Sequence, residues 1–159
     1  MKTSLSIFAL SGLLAFSLGV NADEEKKLTE QQVPKNVQEA FQKAYPDAKD
    51  VKYKEEIKNG KVFFEIEFNQ KSKELEALYS AEGLLIKTEE EIEIAKLPAL
   101  IVQVIGKDYP KALLKEAEMI LKPDGAVSGY EVEIEDGKKE VKLELDASGK
   151  ILKTETNKD

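Results

Sequence analysis

The chain contains no cysteine, no histidine, no arginine and no tryptophan. Each absence removes a class of chemistry. Without histidine or cysteine there is no Ser-His-Asp or Cys-His nucleophile system, no His/Cys zinc site and no disulfide framework. Without arginine there is no planar fork to grip phosphate or carboxylate through two parallel hydrogen bonds. All 24 basic residues are lysine, set against 31 acidic ones in 159 residues, and the formal net charge is −7. Nucleic-acid binding rests on a basic footprint, so this composition argues against it.

What is present begins with an address. Met1-Lys2 is a short positive start, and Ile7 to Val20 is an apolar stretch broken only by Ser and Gly. Val20-Asn21-Ala22 then sets small or apolar residues at a cleavage junction, and Asp23-Glu24-Glu25 follows. This is the signal-peptide pattern, with residues 1–22 removed by cleavage after Ala22. The apolar stretch falls short of the ~20 residues that span a bilayer. The absence of Cys at the junction excludes a lipid anchor. The expected location is periplasmic or secreted, with no membrane attachment after cleavage. Residues 23–32 are expected to form a charged leader, of which Asp23 to about Lys27, charged and poor in apolar side chains, is expected to be loose.

The remainder is one pattern written twice. Val33-Pro34 and Tyr45-Pro46-Asp47-Ala48 return as Leu97-Pro98 and Tyr109-Pro110-Lys111-Ala112, 64 residues later. Phe64 to Phe68, Ala81-Glu82-Gly83 and Lys87-Thr88-Glu89 return 66 residues later as Tyr130 to Ile134, Ala147-Ser148-Gly149 and Lys153-Thr154-Glu155. Matches in two constant registers mark a duplication, with a two-residue insertion placed in Lys122-Pro123-Asp124-Gly125. The expected units are 33–92 and 97–156.

Within each unit the apolar period changes once. Val33, Val37, Ala40, Phe41 and Ala44 share one helical face, as do Leu97, Leu100, Ile101, Val104 and Ile105. Tyr45-Pro46 and Tyr109-Pro110 end those helices, because the residue before proline is pushed out of the helical region. Two-residue alternation then predicts four strands per unit, separated by turns such as Asn59-Gly60 and Asp136-Gly137. The expected fold is α+β: two tandem repeats of one helix followed by four antiparallel strands, with the helices packed on one sheet face and charge on the other.

The Val/Leu-Pro start, the apolar helix ending in Tyr-Pro-x-Ala, the four strands and the x-x-Gly turn before the last strand resemble the PepSY-like family. That family is also described as β-lactamase-inhibitor-like, and its members are exported bacterial proteins with tandem repeats. The resemblance spans Val33 to about Thr156. It implies an antiparallel sheet with helices on one face, and a role in binding or inhibiting other proteins, often peptidases or cell-wall enzymes. Two departures stand out. The aromatic residue usual in the first strand is Tyr53 in one unit but Ala117 in the other, and the disulfides of the β-lactamase inhibitors proper are missing.

The chemistry still open to the chain is carboxylate chemistry. Glu65 with Glu67, Glu74 with Glu76, and Glu131 with Glu133 are alternate strand residues, which places each pair on a solvated sheet face. A glycosidase would need two of them across a cleft with one pKa raised by burial. Asp146-Ala147-Ser148-Gly149 and Asp124-Gly125 do not continue into calcium-loop spacing and read as turns. No catalytic residue, metal ligand or cofactor is assigned. Phe63, Leu78 and Ile120 interrupt the charged face with apolar side chains, and a contact patch needs such a centre inside a polar rim. The candidate partner-binding residues are Phe63, Glu65, Glu67, Leu78, Ile120, Glu131 and Glu133. The expected function is a non-enzymatic exported module that docks an unidentified basic protein, as a monomer or weak homodimer, and acts as an inhibitor of a peptidase or cell-wall enzyme. The alternative is a structural or envelope-stress protein that self-associates through sheet edges or binds cations weakly on its acidic face. Light scattering with and without calcium separates the two.

Overall fold

The computed structural model describes residues 24–158, so the expected signal peptide and its cleavage junction lie outside the described residues. The elements run β1 (Glu24–Leu28), α1 (Lys35–Ala44), β2 (Lys49–Lys58), β3 (Lys61–Gln70), β4 (Lys73–Ser80), β5 (Leu85–Glu91), α2 (Ala99–Asp108), β6 (Leu113–Leu121), β7 (Val127–Asp136), β8 (Lys139–Asp146) and β9 (Ile151–Lys158). Single 3₁₀ turns at Glu30–Gln32 and Ile94–Lys96 lead into the helices. All nine strands form one antiparallel sheet whose spatial order equals the chain order.

This architecture corrects the expected α+β arrangement of two repeats, each a helix followed by four strands. The described residues are mostly one nine-stranded sheet, with only two ten-residue α-helices. Nor are residues 24–28 a loose leader. They pair along β2, from Glu24 opposite Ile57 to Leu28 opposite Tyr53. In the second half the corresponding segment of β6 is paired by β5, from Thr88 opposite Leu121 to Glu91 opposite Glu118. Both members of each pair shift by 64, so β5 is to β6 what β1 is to β2. The repeating unit is therefore strand, helix and three strands, and β9 is one strand more. Glu24-Glu25-Lys26-Lys27 carries no apolar alternation, so its pairing was invisible in the hydropathy pattern. Main-chain hydrogen bonding along the edge of β2 is what recruits it.

Each helix starts after a proline, where the missing N–H costs nothing, and ends at the tyrosine before the next proline. Val37 and Phe41 of α1 are buried against Phe64, Ile66 and Phe68 of β3 and Ala77 and Tyr79 of β4. Ile101 and Ile105 of α2 are buried against Ala117, Val132, Ile134, Leu143 and Leu145. The first core is rich in aromatics: Phe68 meets Phe41 edge-on at 5.0 Å and Tyr45 at 4.5 Å between ring centroids. The second is aliphatic. A hydrogen bond of 3.0 Å between the hydroxyls of Tyr45 and Thr88 ties the end of α1 to β5. Both helices cover the same sheet face and leave the other to the charged residues.

The turns use their polar side chains locally. Asp146 Oδ1 accepts hydrogen bonds from the Ser148 N–H at 2.9 Å, the Ser148 hydroxyl at 2.6 Å and the Lys150 N–H at 3.0 Å. Asp124 Oδ1 accepts the Ala126 N–H at 3.0 Å. Both aspartates are engaged as turn formers, as their sequence context suggested.

Candidate functional site

Side chains alternate across a strand, so the residues next to the buried apolar set all project to the face opposite the helices. The antiparallel register then decides which of them are neighbours. Lys54 lies opposite Glu65, and Glu67 lies opposite Glu76. Glu76 in turn faces Glu89, while Glu91 faces Glu118 and Glu118 faces Glu131. Carboxylates thus run in a band across β3 to β7, and directly opposed like charges are destabilising unless something offsets them.

Lysines offset the flanks of the band. On one side Lys54 Nζ lies 3.0 Å from Glu65 Oε1 and also contacts Glu67, which Lys52 reaches at 3.1 Å. On the other, Lys142 Nζ lies 2.5 Å from Glu131 Oε1 and 3.8 Å from Glu133 Oε1. Lys87 pairs with Glu89 at 2.8 Å, and Lys58 with buried Glu56 at 2.6 Å. Glu76 on β4 and Glu118 on β6 flank β5 at the centre. Neither forms an ion pair with a lysine among the described residues.

The protonation of the band follows from burial and neighbours. Burial, then Glu76, Glu131 and Glu89, push the Glu118 carboxyl up to about 9. Burial also raises Glu76, to about 7; Lys54 opposes the rise while Glu89 and Glu67 add to it. Glu65 rises to about 8, first through burial, then through a hydrogen bond shared with Glu56 and the nearby Glu76. Glu56 moves the other way: hydrogen bonds from Glu65 and Lys58 outweigh its burial and lower it. Glu67 is lowered because Lys54 and Lys52 outweigh its partial burial. For Lys54, Lys87 and Lys142, desolvation works against the charged form, and the surrounding glutamates more than offset it and hold them protonated. The centre of the face therefore carries protons near neutral pH while its flanks are zwitterionic.

The face is concave. Glu25 of β1 and Glu56 of β2 line the same cavity as Lys142 and Glu144 of β8 and Glu155 of β9, with Lys87 and Glu89 of β5 between them. This cavity measures about 130 Å³, less than the ~300 Å³ at the lower end of small-molecule sites. Two triads, Glu65–Glu67–Glu76 and Glu89–Glu118–Glu131, bring carboxylate oxygens within 4.8 Å of one another. Their all-oxygen donor set suits a hard cation, but calcium takes about six to eight oxygen ligands, so neither triad alone completes a site.

All seven residues singled out in the sequence stand on this face. Glu65, Glu67 and Glu131 join the band, and Glu133 extends it beside Lys142. Leu78 and Ile120 are 6% and 5% exposed. They form apolar floor between the carboxylates, Leu78 opposite Glu65 and Lys87, Ile120 opposite Glu89 and Gly129. Phe63 is half-buried at the end of β3. Sequence reasoning missed the importance of Glu76, Glu89, Glu118, Lys54 and Lys142. Alternation told which face they occupy, whereas the β5–β6 pairing that sets Glu118 near Glu76 had no local sequence mark. The repeat offsets did hold a clue: Lys54 corresponds to Glu118, and Glu76 to Lys142.

Comparison with known proteins agrees with this architecture. A family model described as beta-lactamase-inhibitor-like, PepSY-like matches residues 20–87 and again 86–153. The second match opens at β5, as the strand register requires. Among solved structures, a protein described as periplasmic from Bacteroides eggerthii is similar at a TM-score of 0.62 and 11% identity, over 78% of this chain and 88% of that one. A BLIP-like protein from Bacteroides fragilis is similar at a TM-score of 0.56 and 21% identity, over 78% and 86%. No match is found among curated proteins. Among the described residues, no helix is long and apolar enough to cross a membrane.

Proposed function

The chain belongs to the beta-lactamase-inhibitor-like, PepSY-like family, and from that premise we propose that it is a non-enzymatic, exported module that binds a basic protein on its concave charged face. One observation carries this reading. Glu76 and Glu118 stand at the centre of a half-buried carboxylate band and, among the described residues, neither forms an ion pair with a lysine, so a cation supplied by a partner would take the place of the protons they hold near neutral pH and favour their ionised form. Leu78 and Ile120 beneath them supply the desolvated floor on which such a contact gains strength. Flanking ion pairs make a polar rim, and the acidic surface steers a basic partner in. Inhibition of a peptidase or cell-wall enzyme is the more specific form of this function that we propose; the family description supports it only as far as likeness to beta-lactamase inhibitors.

The test uses the mature protein immobilised against periplasmic extract, with the Glu76→Lys/Glu118→Lys double variant as control. A basic protein retained by the wild type at low salt, released at high salt and ignored by the variant is the expected result. Retention that survives the double substitution, or none at any ionic strength, overturns the proposal.

A further inference from the structure

The strand registers contain a redundancy that concerns the sheet edges, independently of the charged face. β9 pairs with β8 as β5 pairs with β4: Glu76 opposite Glu89 becomes Lys142 opposite Glu155, Ala77 opposite Thr88 becomes Leu143 opposite Thr154, and Tyr79 opposite Leu85 becomes Leu145 opposite Ile151. Every position shifts by 66, and the register irregularity falls at the same place. β9 is thus a second β5. The outer edge of β5 receives β6 through Glu118–Leu121, whereas the outer edge of β9 is, among the described residues, the end of the sheet. The first-half counterpart of Glu118–Leu121 is Lys54–Ile57, and these four residues are occupied by Glu24–Lys27 of β1.

We propose that β1 is a removable plug on a strand-acceptor edge, and that its displacement lets β9 of a second copy dock on β2 in the register of the β5–β6 junction. The pairing would set Thr154 opposite Ile57 and Thr156 opposite Glu55, continuing one sheet from copy to copy. The occupant is a second copy because β9 repeats the Lys-Thr-Glu of β5 (Lys153-Thr154-Glu155 for Lys87-Thr88-Glu89) and repeats its backbone register. β1 is suited to leave: of its side chains that are described, Glu25, Lys26 and Lys27 are exposed and Leu28 packs on the core. The contact is head-to-tail, so assembly propagates unless it closes into a ring. While β1 stays in place it blocks this route, as covered or charged edges commonly do.

The chain lacks cysteine, so paired single-cysteine variants read the register directly. A Glu55→Cys chain is mixed with a Thr156→Cys chain, each carrying Leu28→Asp to loosen β1, and each checked for folding by circular dichroism. Mixed disulfide dimers, together with a shift from monomer to dimer and higher masses in light scattering, are expected. The same pairs with Leu28 intact should stay monomeric. Leu28→Ala gives a milder background that keeps the first core closer to native, and it should yield the same cross-link more slowly. Folded Leu28→Asp and Leu28→Ala chains that remain monomeric overturn the proposal. So does a Glu55→Cys chain that cross-links equally well to the out-of-register variant Lys153→Cys. Loss of binding to a basic partner would leave these readouts untouched, so the two proposals fail separately.

Discussion

The two halves of the sheet carry nearly the same pattern but put their charge-balancing lysine on opposite strands. In the first half it is Lys54 on β2, and the corresponding residue of the second half is Glu118 on β6. In the second half it is Lys142 on β8, and its first-half counterpart is Glu76 on β4. Each lysine serves a neighbouring glutamate pair, Glu65 with Glu67 or Glu131 with Glu133. Joining the halves through β5 and β6 puts both lysine-poor sides together. A duplication that kept the same charges in each half would have alternated lysine and glutamate across the sheet. Divergence at two positions has instead put Glu76 and Glu118 on either side of β5 and these two lysines on β2 and β8.

The cores differ as well, and they give the largest test of the comparison. Phe41 and Ile105 occupy equivalent helix positions, one among aromatics and one among aliphatic side chains. Phe41→Ala should cost about 3–5 kcal/mol in urea unfolding, near the upper end of the ~2–5 kcal/mol expected for Ile105→Ala. Equal and small losses would show that the aromatic cluster adds nothing. Next in size is the lysine exchange. Lys54→Met leaves Glu65 without its cation, and Glu67 with Lys52 alone, in a site where the lysine side chain is 23% exposed. About 2–4 kcal/mol should be lost, toward the lower part of what breaking a buried pair costs. Lys142→Met, at a more exposed site, should lose less.

Acidity gives the third test. Glu65, Glu76 and Glu118 titrate above the ordinary glutamate value of 4.5 in the folded chain, so the folded state holds protons that the unfolded chain has released. Their contribution is fully present below about pH 4.5 and is lost as pH rises through about 7 to 9. Glu56 and Glu67 are lowered, and what they contribute is lost on acidification below that range. The melting temperature should therefore fall by several degrees between pH 5.5 and 9, equivalent to about 1–3 kcal/mol. Glu76→Gln/Glu118→Gln should flatten this slope, and an unchanged slope would remove the band as its cause. Tyr79 is a smaller probe. Its buried hydroxyl has no hydrogen-bond partner among the described residues, and Leu145 is its counterpart. Tyr79→Phe should be neutral or gain up to about 1 kcal/mol. Last, Leu100→Asn restores in α2 the residue that α1 carries at Asn36, which donates to the Ala81 carbonyl at 2.9 Å. With Leu100 exposed, the change should stay within about 0.5 kcal/mol.

Much of this was legible in the residues. The duplication, the helix limits at Tyr45 and Tyr109, and the assignment of Phe63, Leu78 and Ile120 to the charged face follow from offsets, proline sterics and alternation. The unit boundary did not, because β5 belongs to both halves and β1 is held by backbone pairing with a single apolar anchor, Leu28, rather than by an alternating apolar stripe. The site was legible as a face but not as a band. Burial of Leu78 and Ile120, and with them of the central carboxylates, comes from concavity across nine strands, a property no single strand's pattern contains.

Strand order identical to chain order has a kinetic meaning. Every strand's partner is its immediate predecessor or successor, so no pairing waits for a distant segment to arrive, and low sequence separation of contacts favours fast folding. Six of the eight pairings close through short turns alone. The remaining two, β1 with β2 and β5 with β6, each wait only for one ten-residue helix to form. A chain delivered end-first through a pore can therefore fold from its leading end, and the second half finds its template in β5 already standing.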